Sequence, residues 1–112
     1  MIYKICDQAS WRTALSEGLL RGSPADLRDG FLHFSTAAQL AETAAKHFAA
    51  AGDLMLLAVD ADGLGPALKW EPSRGGDLFP HLYAALSVAA VRWAGPLESA
   101  ADGRRVIPEL EP

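Results

Sequence analysis

The stretch DGFLHFSTAAQLAETAAKHFAAAGDLMLLAVD, residues 29–60, changes its periodicity twice, and the fold class follows from that. Residues 31–34 form a short apolar run interrupted by His33, which reads as a strand. Residues 36–51 place Ala37, Leu40, Ala41, Ala44, Ala45 and Phe48 at helical spacing, with a mostly small inner face that lets a helix lie close on a sheet. Ser35 stands where a hydroxyl caps that helix, and Gly52 ends it. Residues 53–60 are nearly continuous in apolar side chains between two aspartates, as in a central strand buried on both faces.

Working outward, IYKICD (2–7) predicts a first strand. Trp11, Ala14 and Leu15 predict a helix over 8–17 with Gly18 at its end. Residues 21–30, rich in Gly, Pro and Asp, read as turns with one 3₁₀ turn at most. Residues 67–72 predict a strand closed by Pro72, and residues 73–77 a tight turn. The segment 78–86 starts extended, because Pro80 biases Phe79 away from helix; it continues either as strand or as a helical turn. Residues 89–97 predict a strand with Val91 and Trp93 on one face and Arg92 on the other. The charged, proline-containing segment 98–112 reads as a tail or an edge strand. Two main helices near the front and strands towards the back make an α+β domain with a mixed or antiparallel sheet, not a doubly wound one.

The chain has 112 residues, 50% apolar and 21% charged, with a net charge of −4. That suits one globular domain over 1–112 and argues against disorder. No basic stripe is present, which speaks against a duplex nucleic-acid partner. No apolar run approaches the roughly 20 residues of a membrane helix, and no signal-peptide pattern opens the chain. The single cysteine, Cys6, permits no internal disulfide and fits a reducing cytoplasm.

Two clusters can carry chemistry. In the first, His33 shares an extended-chain face with Phe31 and Ser35. It can hydrogen-bond a ligand or move a proton near neutral pH, or it can be a core histidine satisfied by a backbone carbonyl. Ser35 and Thr36 supply hydroxyls at a helix start, where backbone N–H groups favour an anion. The second cluster is KWEPSRGGDLFPHLY, residues 69–83, with Trp70, Glu71, Arg74, His81 and Tyr83. Aromatic and imidazole groups beside a Gly-Gly loop suit a planar ligand; alternatively Trp70 is core and His81 surface. His47 reads as a surface residue, Cys6 as a small core residue, and no metal-ligand spacing is present.

These segments resemble the bacterial family catalogued as domain of unknown function 952. The matching pieces are IYKI at 2–5, Trp11, DGFLHFST at 29–36, the Trp70–Glu71 pair and FPHLY at 79–83. The resemblance implies an ADP-ribosyltransferase-like fold: a mixed, split β-sheet carrying helices, with a cleft that in relatives holds NAD or an ADP-ribosylated group. On that basis His33, His81 and Glu71 are the expected catalytic residues. Ser35, Thr36, Trp70, Arg74 and Tyr83 are the expected ligand-binding residues, and NAD or ADP-ribose is the expected small-molecule substrate. ADP-ribosyltransferases place Arg or His on the first strand and Glu on a late one. Here Lys4 occupies the first position and no late-strand Glu stands out. Those departures favour the alternative, a non-catalytic nucleotide-binding module that has lost the transferase chemistry.

Overall fold

The computed structural model describes residues 1–48, 52–102 and 104–111, with the Arg74 side chain outside the description. The strands are β1 (Ile2–Asp7), β2 (Leu19–Leu20), β3 (Leu32–His33), β4 (Leu54–Val59), β5 (Leu68–Pro72), β6 (Leu78–Leu82), β7 (Leu86–Ser87) and β8 (Val91–Leu97). The helices are α1 (Gln8–Glu17), α2 (Pro24–Asp29) and α3 (Ala37–His47), with short 3₁₀ turns at Ala61–Ala67, Arg74–Gly76 and Val88–Ala90. Among the described residues, all strand pairings are antiparallel. One sheet runs β1-β4-β8, a second β3-β6-β5, and β2 pairs with β7. The α+β class and the antiparallel alternative are therefore what the chain adopts.

The two larger sheets meet just after β3. Tyr3 and Ser35 exchange both backbone hydrogen bonds at 2.8 Å, and Phe34 donates its N–H to the Pro80 carbonyl. Ser35, two residues past β3, thus joins the first sheet while Phe34 and β3 before it belong to the second. Alternation along β1 explains the two-sided core. Ile2 and Cys6 pack with Trp11, Leu32, Phe34, Leu57 and Leu82. Tyr3 and Ile5 pack with Leu40, Ala44, Leu54, Leu56 and Leu97 on the opposite face. As the apolar run 53–60 implied, β4 is buried on both sides, since Leu57 and Val59 join the first cluster and Leu54, Leu56 and Ala58 the second.

Several expectations need correction. Residues 21–30 hold a true α-helix, α2, because Ser23 and Asp26 form a reciprocal capping box with Pro24 at the first helical position. Thr36, not Ser35, caps α3, paired with Gln39 in a second capping box. That helix turns only Leu40 and Ala44 fully inward, and Ala41 and Ala45 face solvent. Its expected continuation over 49–51 lies outside the described residues. Leu15 on α1 is exposed, so the buried stripe there is Trp11 and Ala14. The 78–86 segment is strand to Leu82, then a turn, then β7. The register of β8 shifts beside Ala58–Val59, and both Arg92 and Trp93 are exposed. Of the two alternatives for 98–112, the described residues form a tail with an isolated bridge between Ser99 and Arg105.

Gly22 is the glycine on which this geometry depends. Its φ is 114°, and a Cβ there would sit 2.7 Å from Leu32 Cδ2 and 2.8 Å from Asp26 Cβ. Only glycine lets the chain pass this close to both α2 and β3.

Candidate active site

Two ribbons bring the candidate residues together. The β3–β6 register sets His33 directly opposite His81. Their ring centroids are 5.8 Å apart, edge to face. In the β5–β6 register Glu71 pairs with Phe79 and Lys69 with His81, so Glu71, His81 and Tyr83 share one face by strand alternation. Phe31 lies among them, stacked on His81 at 4.0 Å and tilted against His33 and Tyr83. A cleft of about 750 Å³ opens beside this face, with Lys4, Asp26, His33, Phe34, Phe79 and His81 among its walls.

The His33 half is built from buried charge. Asp26 first accepts the Ser23 N–H at 2.8 Å as part of its capping box. Its Oδ2 also pairs with Lys4 Nζ at 2.9 Å, and both side chains are 5% exposed or less. Its Oδ1 accepts the His33 backbone N–H at 3.1 Å and faces His33 Nδ1 at 2.6 Å. Lys4 closes the loop by donating to the His33 carbonyl at 3.0 Å. Burial alone would raise the Asp26 pKa. The His33 hydrogen bond, the Lys4 charge and the Ser23 N–H outweigh it and hold the carboxyl well below the ordinary range. On its other side, His33 Nε2 meets Asp29 Oδ2 at 2.9 Å. Arg28 and, more weakly, His33 keep Asp29 below its ordinary pKa.

The His81 half is simpler. Glu71 Oε1 accepts from Tyr83 Oη at 2.6 Å and faces His81 Nδ1 at 2.9 Å. Those two bonds lower the Glu71 pKa, and the bond to Glu71 raises that of Tyr83.

Of the residues singled out from sequence, His33, His81, Glu71 and Tyr83 converge here. Ser35 and Thr36 lie close by but are committed elsewhere. Ser35 Oγ hydrogen-bonds Thr43 Oγ1 at 2.9 Å. Thr36 and Gln39 satisfy each other's backbone N–H, so the helix start expected to attract an anion has two donors already occupied. Trp70 is separated from the cluster. It pairs with Pro80 on the opposite face of the β5–β6 ribbon and is 45% exposed. Arg74 sits on the 3₁₀ turn between β5 and β6. His47 is exposed on α3. Cys6 is buried, and that burial pushes its thiol up to about 11. Among the described residues, no three His, Cys, Asp or Glu side chains are grouped as a metal ion would require.

Sequence reasoning missed Lys4, Asp26, Asp29 and Phe31. The signals were faint but present. Lys4 occupies the same strand face as Ile2 and Cys6, so a partner had to be found for it in the interior. The Ser-Pro-x-Asp spacing at 23–26 is that of a capping box.

The sequence matches, over residues 5–94, the family described as Protein of unknown function (DUF952). A solved relative is protein CC0527 from Caulobacter crescentus. Its X-ray structure is 50% identical with a TM-score of 0.91, covering 94% of this chain and 92% of that one. Its solution NMR structure is 51% identical with a TM-score of 0.81, covering 92% and 89%. No curated protein sequence matches this chain. Among the described residues, no helix is long and apolar enough to cross a membrane. The match spans most of the sequence and includes both histidine-bearing segments: this chain belongs to the DUF952 family.

Proposed function

We propose that the cleft beside the β3–β6 ribbon is the active site of a small enzyme acting on a polar organic ligand by proton transfer. The observation that carries this reading is the pairing of His33 with His81 across the ribbon, His33 held by carboxylates at both ring nitrogens and His81 by one at Nδ1. Imidazole is the side chain suited to giving and taking protons near neutral pH. A carboxylate on one ring nitrogen orients the other. Phe79 and Phe34 supply the apolar wall a bound organic molecule needs, and Phe31 backs it by stacking on His81.

The ligand class we favour is nucleotide-like, with NAD and ADP-ribose as the first probes. This rests on the ADP-ribosyltransferase-like cleft implied by the resemblance of the histidine segments to the DUF952 family. Tyr83 and Phe31, rather than Trp70, are the rings able to meet a planar group on this face. Titration by calorimetry and by NMR tests the proposal. Binding of NAD or ADP-ribose that perturbs His33 and His81, and that His81→Ala weakens without unfolding the protein, supports it. Absence of binding by either at millimolar concentration removes the nucleotide version.

A second reading, a binding module without turnover, draws on one specific feature. Lys4, Asp26, Ser35 and Thr36 all have internal hydrogen-bond partners. A ligand that binds but stays chemically unchanged across a broad pH range would favour it.

A further inference from the structure

The two histidines are held differently, and the difference assigns their roles. His33 has a carboxylate at each ring nitrogen, Asp26 at Nδ1 and Asp29 at Nε2. His81 has one, Glu71 at Nδ1. Among the described residues no group hydrogen-bonds His81 Nε2, and none of their buried side-chain nitrogens or oxygens lacks a partner. The unbonded Nε2 of this nearly buried ring is therefore reached by solvent, and His81 lines the cleft.

Chemistry then fixes the tautomer. An ionised carboxylate only accepts hydrogen bonds, so Glu71 places the first imidazole proton on Nδ1 and leaves the lone pair on Nε2. Tyr83 donates to the same Glu71 oxygen and holds the carboxylate in place. Phe31, with its ring within 23° of parallel, restrains the imidazole from turning. Among the described residues, the charged and titratable groups that pair with or face His81 are Glu71 and Lys69 on β5, His33 on β3, and Tyr83 just past the end of β6.

We propose that His81 Nε2 is the general base of this cleft, that Glu71, Tyr83 and Phe31 are its positioning residues, and that His33 is a clamped structural group. The substrate it fits presents a hydroxyl or amine to Nε2. In the step, the substrate O–H or N–H bond breaks and its electron pair stays on the substrate. The proton moves to Nε2, and the resulting imidazolium is balanced by Glu71. Return of that proton from Nε2–H to the bound molecule's oxygen or nitrogen restores the neutral ring. This assignment rests on the cleft being a ligand site.

Histidine-ring ¹⁵N NMR on the ligand-free protein in mildly alkaline buffer tests it. The expected result is a single His81 tautomer, protonated at Nδ1 and bare at Nε2. Glu71→Gln should lose that single-tautomer signature, because an amide both donates and accepts. Tyr83→Phe, which removes only a hydroxyl, should weaken the preference in the same direction. A wild-type His81 proton on Nε2, or an unchanged tautomer in both variants, overturns the assignment. The readout needs no ligand. Failure of NAD and ADP-ribose to bind therefore counts against the nucleotide reading, and a wrong tautomer counts against His81.

Discussion

The His33 and His81 halves of the cleft use the same two residue types and do different work. Around His33 the carboxylate is almost fully buried, has four donors, and links α2, β1 and β3 through Lys4 and Ser23. Around His81 the carboxylate is a third exposed, its partners are one phenol and one imidazole, and it stands on the edge strand β5, while His81 itself is on the buried central strand β6. Buried charge that is fully partnered ties elements together. A histidine left with one open nitrogen is available to a ligand. A His–carboxylate contact alone thus says little about role; the partners of the second nitrogen decide it.

The contrast is broken most severely at Asp26. Asp26→Ala would strand Lys4 and remove the acceptor for His33, and taking one partner from a buried ion pair costs about 3–5 kcal/mol. Urea unfolding should show that loss for Asp26→Ala, whereas Glu71→Gln should unfold close to wild type. Equal loss in both would erase the distinction.

Acid should reveal the same asymmetry. The Asp26 pKa is lower in the folded chain than in the unfolded one. The stability it contributes is therefore fully present above the unfolded carboxylate value of roughly 3.9, and is lost as pH falls below that value towards the folded one. Unfolding midpoints measured between about pH 5 and pH 2 should fall steeply in the wild type and less steeply in Asp26→Asn.

A smaller effect is expected at Gly22, which seats α2 against β3. Gly22→Ala meets both a positive φ and the Leu32 and Asp26 side chains, and should cost on the order of 1–3 kcal/mol by thermal unfolding. The smallest expected effect is at Trp70. Because it lies across the ribbon from the cleft, Trp70→Ala should leave the affinity of any cleft ligand unchanged in calorimetric titration, while Tyr83→Phe should alter it.

Much of this arrangement was legible in the residues. Helix α1 over 8–17 followed from Trp11, Ala14 and Gly18, and the two-sided burial of β4 from its unbroken apolar run. Period-two alternation placed His33 with Phe31, and His81 with Tyr83. What it could not supply is the pairing of β3 with β6, because cross-strand register depends on contacts between segments 48 positions apart. The same gap misplaced Trp70, whose face is set by pairing with Pro80 rather than by its aromatic character. Lys4 stood out only as a departure from the family pattern, because its role depends on a partner that the sequence does not mark. That partner, Asp26, sits on a helix whose capping signals were hidden in a segment that looked like loop.

Acylation by diethyl pyrocarbonate tests the division of labour between the two histidines most directly. The reagent is attacked by an unprotonated imidazole nitrogen, and peptide mapping reads which ring reacts. On exposure alone His33 should react first, since its side chain is 38% exposed against 6% for His81. The account predicts the reverse: His81 is carbethoxylated first, through its open Nε2, while His33 is held back by Asp26 and Asp29. His33 reacting ahead of His81 in the folded protein would contradict it.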